Sequence, residues 1–118
     1  MQKNKGLSRL YYASVYSLQG FRAALKNEDA FRQEIILLLI AVLISFLLNV
    51  SAIERLAMIS SITLILIVEL LNSAIECVVD RVSTDRHELS GRAKDYGSLA
   101  VLLTVMIAAA TWLTILLN

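Results

Sequence analysis

Apolar residues along this chain fall into three long runs, Ile35 to Val50, about Leu56 to Val79, and about Gly97 to Leu117. A helix needs ~20 residues to cross ~30 Å of hydrocarbon, with a lower limit of about 17. The pattern therefore predicts three transmembrane helices, over about 33–50, 54–80 and 92–117. The first run is short and borrows the glutamate-containing turn before it. The second is long, reaching ~37 Å if counted to Asp80. Ahead of all three, Leu7, Leu10, Tyr11, Leu18, Phe21 and Leu25 gather on one side of a helix over 7–29, with Lys3, Lys5, Arg9 and Lys26 off that side. That reads as an amphipathic helix lying in the membrane interface. No repeat, low-complexity tract or linker interrupts residues 1–118, so the expectation is one all-α membrane domain.

Polar positions inside the second run carry the most information. Glu69, Asn72, Glu76 and Asp80 stand at offsets 0, 3, 7 and 11. At 100° per residue these fall within an arc of about 80°, one narrow stripe. Acidic residues in a membrane-grade segment are costly, so they face a protein interior or a wet cavity and usually serve chemistry or transport. The apolar half of the helix, Leu56 to Val68, lies deep, and the acidic half rises toward one surface. The stripe thus belongs near an interface, where a water-soluble reactant can meet a lipid one.

Composition agrees. The chain is 58% apolar without a single proline, and its mean hydropathy is +0.70, whereas a soluble domain is typically ~45–50% apolar. A net charge of +1 excludes a strongly basic nucleic-acid binder. Cys77 has no second cysteine to pair with and reads as a small packing residue. No cleavable signal peptide is expected, because the start is polar and charged through Arg9. Lys3, Lys5, Arg9, Arg22, Lys26 and Arg32 precede the first span, and Arg81, Arg86, Arg92 and Lys94 lie between the second and third. The other connection has only Arg55, and the C-terminus has no basic residue, an asymmetry of ten to one. The N-terminus and the 80–95 loop are therefore expected in the cytoplasm, with the C-terminus on the outer face.

Absent motifs narrow the chemistry. Neither common glycine-rich nucleotide cradle is present, and no histidine–cysteine cluster has zinc spacing. His87 is the only histidine, and its simplest reading is a solvated loop side chain. Asp80, at a helix end, reads as solvated or paired with Arg81, and Trp112 as an interfacial aromatic. No serine or cysteine has a base suited to acyl transfer. What remains is carboxylates, an asparagine and a basic loop from Asp85 to Asp95. Carboxylates for magnesium and cations for phosphate are the working parts of phosphoryl transfer.

The run VELLNSAIECVVDR from Val68 to Arg81, followed by HELSGRAKD from His87 to Asp95, resembles the bacterial integral-membrane diacylglycerol kinase family. The likeness extends to NEDAFRQE from Asn27 to Glu34, and covers essentially the whole chain. Where better-known members carry tryptophan in the first helix, this chain has Leu18 and Leu25. The resemblance implies a homotrimer in the bacterial inner membrane that uses ATP and Mg²⁺ to phosphorylate the sn-3 hydroxyl of diacylglycerol. Glu69 matches the catalytic base, and it is also the deepest member of the stripe, nearest a lipid hydroxyl. Glu76 matches a magnesium ligand and Glu28 its partner on the surface helix. Lys94 and Asp95 match nucleotide contacts, as do Arg9 and Tyr16. Asp85, Arg86 and His87 are expected near the nucleotide, and Arg9, Asn72 and Ser98 near the lipid substrate. Asn72 is equally open to a role in interhelical hydrogen bonding.

In a monomer the stripe on the second span would face lipid, and association covers it. Ala57, Ser61, Ser73, Ala100 and Ala108 to Ala110 permit close helix contact, so a site between protomers is expected. Three other readings remain at this level: the same fold phosphorylating undecaprenol, a small transporter using Glu69 as a proton or cation site, and a non-enzymatic membrane assembly factor. A transporter has no need of an acidic pair beside a basic loop, and an assembly factor has none of a buried Glu69.

Overall fold

The computed structural model describes residues 5–118; Lys3, counted in the charge asymmetry, lies outside them. The chain forms four helices and, among the described residues, no strand: α1 (Leu7–Asn27), α2 (Asp29–Leu47), α3 (Ala52–Val82) and α4 (Glu88–Leu116). The last three are long and apolar enough to cross a membrane. Proline is absent, so nothing breaks the 31-residue α3.

Local chemistry fixes each boundary. Glu28 is the single non-helical residue between α1 and α2, with φ −116° and ψ 105°. Arg32 closes that corner by donating to the carbonyls of Leu25 (2.7 Å) and Lys26 (3.1 Å), which the end of α1 leaves without helical partners. It also pairs with Asp29. At the opposite end Ser51 and Glu54 form a reciprocal capping box, 3.1 and 3.0 Å, that starts α3. Arg55 reaches back to the carbonyl of Ser45 at 3.0 Å and lies 4.8 Å from the ring centre of Phe46. The one cation of this connection is therefore committed to holding the α2–α3 turn. His87 starts α4, its Nδ1 accepting from the Leu89 amide at 3.1 Å.

α3 lies between α2 and α4, while α1 leans on α2. Ala41, Ile62, Ile65 and Ala108 form one buried cluster, joined by Leu38 and Trp112. Ala24, Phe31 and Leu66 form another at the α1–α2 corner, where the Phe21 and Phe31 rings meet edge to face. Several hydroxyls in the apolar segments turn back on their own helix, as Ser45 does to Val42, Ser61 to Met58 and Thr63 to Ile59. This is the available solution where no water can compete. The molecule is a slab of 49 × 42 × 23 Å with a radius of gyration of 17.4 Å, against ~13 Å for a compact domain of about this length. Most of α1 reaches away from the other helices, and Leu7 is 84% exposed.

Two expectations change. The basic stretch from Asp85 to Asp95 is only partly a loop, because α4 begins at Glu88 and carries Arg92, Lys94 and Asp95 on its first turns. Helix is favoured there because His87 caps it and Glu88 stands at its positive end, paired with Arg92 at 3.0 Å. Trp112, read as an interfacial aromatic, turns inward instead, its Nε1 donating to the Met58 carbonyl at 3.1 Å. A half-buried indole in an apolar seam needs such an acceptor.

Candidate functional site

The acidic stripe lies on α3 toward its C-terminal end, at the same end of the molecule as the α1–α2 corner and the start of α4. Glu69 is buried there within the single chain, 9% exposed. The expectation that the stripe faces lipid in a monomer is therefore corrected: α4 covers it through Gly97 and Lys94. Glu69 lies within charge–charge range of Glu76 on its own helix and of Glu28 at the corner. A fourth carboxylate, Glu34 on α2, is within range of Glu69 and holds its Oε1 buried without a hydrogen-bond partner. The sequence reading missed Glu34 as a site residue. Its signal was its place at the very edge of the first apolar run, one residue before Ile35.

Asn72 stands one turn from Glu69, half-buried, and its Nδ2 donates to Glu76 Oε1 at 3.4 Å. Its Oδ1 is buried without a conventional donor and closes on Gly97 of α4. Beyond Glu76, Asp80 Oδ1 pairs with Lys94 Nζ at 2.8 Å. Asp80 therefore pairs across the helix seam rather than with its neighbour Arg81. Both side chains are about half exposed, so the ion pair contributes little to stability and chiefly orients the lysine. Lys94 also lies within charge range of Glu76. Opposite charges thus alternate along the upper seam, from Glu76 through Lys94 to Asp80.

Beside this seam is an open cleft lined by Asp80, Ser83, Asp85, Arg86, His87 and Lys94, among others. Ser83 Oγ accepts from the Asp85 amide at 3.0 Å and shapes the turn that forms one wall. Asp95 and Ser98 are exposed on α4 near the same end. Arg9 and Tyr16 are exposed on α1, where Tyr16 stacks on Tyr12 with ring centres 6.3 Å apart. Among the described residues no hydrogen bond or ion pair joins Arg9 or Tyr16 to the acidic cluster. The site gathers Glu28, Glu69, Asn72, Glu76 and Lys94, and leaves these two apart within one chain.

Among the described residues no three side chains converge as a metal cage. Glu28 and Glu76, each half-buried and within charge range of Glu69, are the carboxylates that could share a divalent cation with its waters. The arrangement combines a buried carboxylate, two carboxylates nearer solvent and a lysine beside an open cleft. It can accept a proton at depth and hold a metal-bound polyphosphate above it.

A family profile described as Prokaryotic diacylglycerol kinase matches residues 15–116. The diacylglycerol kinase of Escherichia coli (strain K12) is 54% identical over 111 residues, covering 94% of this chain and 91% of the relative. That of Haemophilus influenzae is 50% identical over 112 residues, covering 95% of each. That of Pseudomonas aeruginosa is 53% identical over 113 residues, covering 96% of this chain and 92% of the relative.

Proposed function

Because the chain belongs to the prokaryotic diacylglycerol kinase family, we propose that it is an ATP-dependent kinase of membrane lipid. It transfers the γ-phosphate to the sn-3 hydroxyl of diacylglycerol and yields phosphatidic acid and ADP. The observation that carries this reading is Glu69, buried on the same α3–α4 seam that ends in an open cleft lined by Lys94, Arg86 and His87. Counted from Ala52, ~30 Å of hydrocarbon ends ~20 residues on, at about Asn72. Glu69 then lies just inside the boundary, within reach of a lipid hydroxyl, and Glu76 just outside it, within reach of ATP.

Glu69 accepts the proton as the hydroxyl oxygen bonds to the γ-phosphorus and the bond to the β–γ bridging oxygen breaks. Catalysis by such a positioned base is typically worth ~10²–10⁴-fold. Glu28 and Glu76 would hold Mg²⁺, which when bound neutralises charge on the polyphosphate. Lys94 contacts phosphate, and Asp95 the ribose or base. Asp85, Arg86 and His87 line the adenosine side, and Asn72 and Ser98 position the lipid glycerol. Arg9 and Tyr16 reach nucleotide or substrate from α1, whose apolar face lies in the cytoplasmic interface. The protein is a multi-pass protein of the bacterial inner membrane, N-terminus inside, and works as a homotrimer. The exposed apolar faces of the slab and the distance of α1 from the cluster support sites shared between protomers.

Purified protein, labelled ATP and mixed micelles test the reading, with diacylglycerol, undecaprenol or neither supplied. Label on diacylglycerol is expected. Label on undecaprenol alone would reassign the substrate, and label on neither would overturn the kinase reading.

A further inference from the structure

At the acidic end the side chain of Asn72 on α3 packs directly onto the backbone of Gly97 on α4. Gly97 is buried, and a Cβ built on it would collide with Asn72 Oδ1 and crowd Cγ at 2.9 Å. Of the other three glycines, Gly6, Gly20 and Gly91, none would meet any atom within 4 Å. The missing side chain of Gly97 is therefore the space that Asn72 Oδ1 fills. With no N–H or O–H donor there, the oxygen has the Cα–H groups of glycine as its weak partners. On its other side the same amide donates to Glu76 at 3.4 Å.

Resting on the metal and nucleotide roles proposed above, we infer that Gly97 is a positioning residue: it seats Asn72, and Asn72 in turn holds Glu76 toward the metal–nucleotide. A methyl group at position 97 displaces the amide, because the flexible end of the Asn72 side chain is what gives way. Asn72 then loses its place one turn above Glu69, and Glu76 loses a donor. Gly97 also stands one turn from Lys94 on α4, so the notch fixes the height of the phosphate-binding lysine against the carboxylate stripe.

The test uses the full-length solubilised protein and four variants: Gly97→Ala, Asn72→Ala, the double substitution, and Gly20→Ala as a glycine that meets nothing. Binding of Mn²⁺–ATP is followed by electron paramagnetic resonance, with thermal unfolding on the same samples. Gly97→Ala should weaken Mn²⁺–ATP binding by roughly tenfold, at the low end of what outer partners of a metal site typically contribute. Asn72→Ala should do the same, and the double variant should be no worse than either, because both act through one contact. Wild-type affinity in Gly97→Ala, or losses that multiply in the double variant, would overturn the inference. Should Gly97→Ala not fold, the double variant must fold and bind as Asn72→Ala does; if it does not, the seat is wrong. Failure of the kinase reading would show in the wild-type protein, failure of the seat only in the variants.

Discussion

The two halves of the α3–α4 seam are built from the same pair of helices and solve opposite problems. In the apolar half, Met58, Ser61, Ile62 and Ile65 face Thr104, Ala108 and Trp112. Here every hydroxyl and the indole have a partner: Ser61 and Trp112 share the Met58 carbonyl, and Thr104 bonds to Val101. In the acidic half, Glu69, Asn72, Glu76 and Asp80 face Gly97 and Lys94. Near them Glu34 Oε1 and Asn72 Oδ1 are buried and unpartnered. Unsatisfied buried polar atoms are rare because each costs free energy, so their concentration at one end marks where stability gives way to function. One half holds the helices together, and the other half works.

That division is open to attack by substitution, with the largest effect at Glu69. Glu69→Gln keeps shape and hydrogen bonding but cannot take up the proton, so turnover should fall by ~10²–10⁴-fold with the fold intact. An assay of labelled phosphatidic acid in mixed micelles decides it, and more than a tenth of wild-type turnover would exclude a base. Next come the metal carboxylates. Glu28→Ala and Glu76→Ala should each raise the Mg²⁺ requirement on the order of tenfold or more, and the loss should soften as Mg²⁺ is increased. An unchanged Mg²⁺ titration would remove both from the metal site. Asp80→Asn frees Lys94 from an exposed ion pair, so a severalfold rise in the KM for ATP is expected with an unchanged melting temperature.

The smallest effect on catalysis belongs to the apolar half. Trp112→Phe removes one hydrogen bond and leaves the Met58 carbonyl with Ser61, so unfolding should be easier by roughly 0.5–1 kcal/mol. Turnover should not change. A catalytic defect there, with stability untouched, would dissolve the distinction between the halves.

What the sequence could disclose follows the range of its signals. The spans are local: uninterrupted apolar runs of the required length become α2, α3 and α4. The Glu69–Asn72–Glu76–Asp80 stripe is also local, because helical geometry alone puts the four on one face. Partnerships between helices are not local. Asp80 stands beside Arg81 in sequence, yet its ion pair is with Lys94, fourteen residues away and on the next helix. Trp112 has the position of an interfacial aromatic, and only packing against Met58 reveals its inward turn. Glu34 reads as the polar edge of a span until α2 lies against α3. Gly97 carries no side chain to read at all, and its meaning comes wholly from the asparagine pressed against it.

The claim at the centre is that Glu69 is kept for chemistry at the expense of stability. Glu69→Leu tests it most directly, with turnover and thermal unfolding measured on one preparation. Leucine matches the neighbouring Ile65 and Leu66 in character and removes a buried carboxylate that has like charges around it. Replacing such a group by a well-packed apolar side chain is often neutral or stabilising. The account predicts a protein without detectable phosphorylation that melts at or above the wild-type temperature. A variant that melts well below wild type would make Glu69 a structural member of the seam, and one that still phosphorylates diacylglycerol would contradict the account outright.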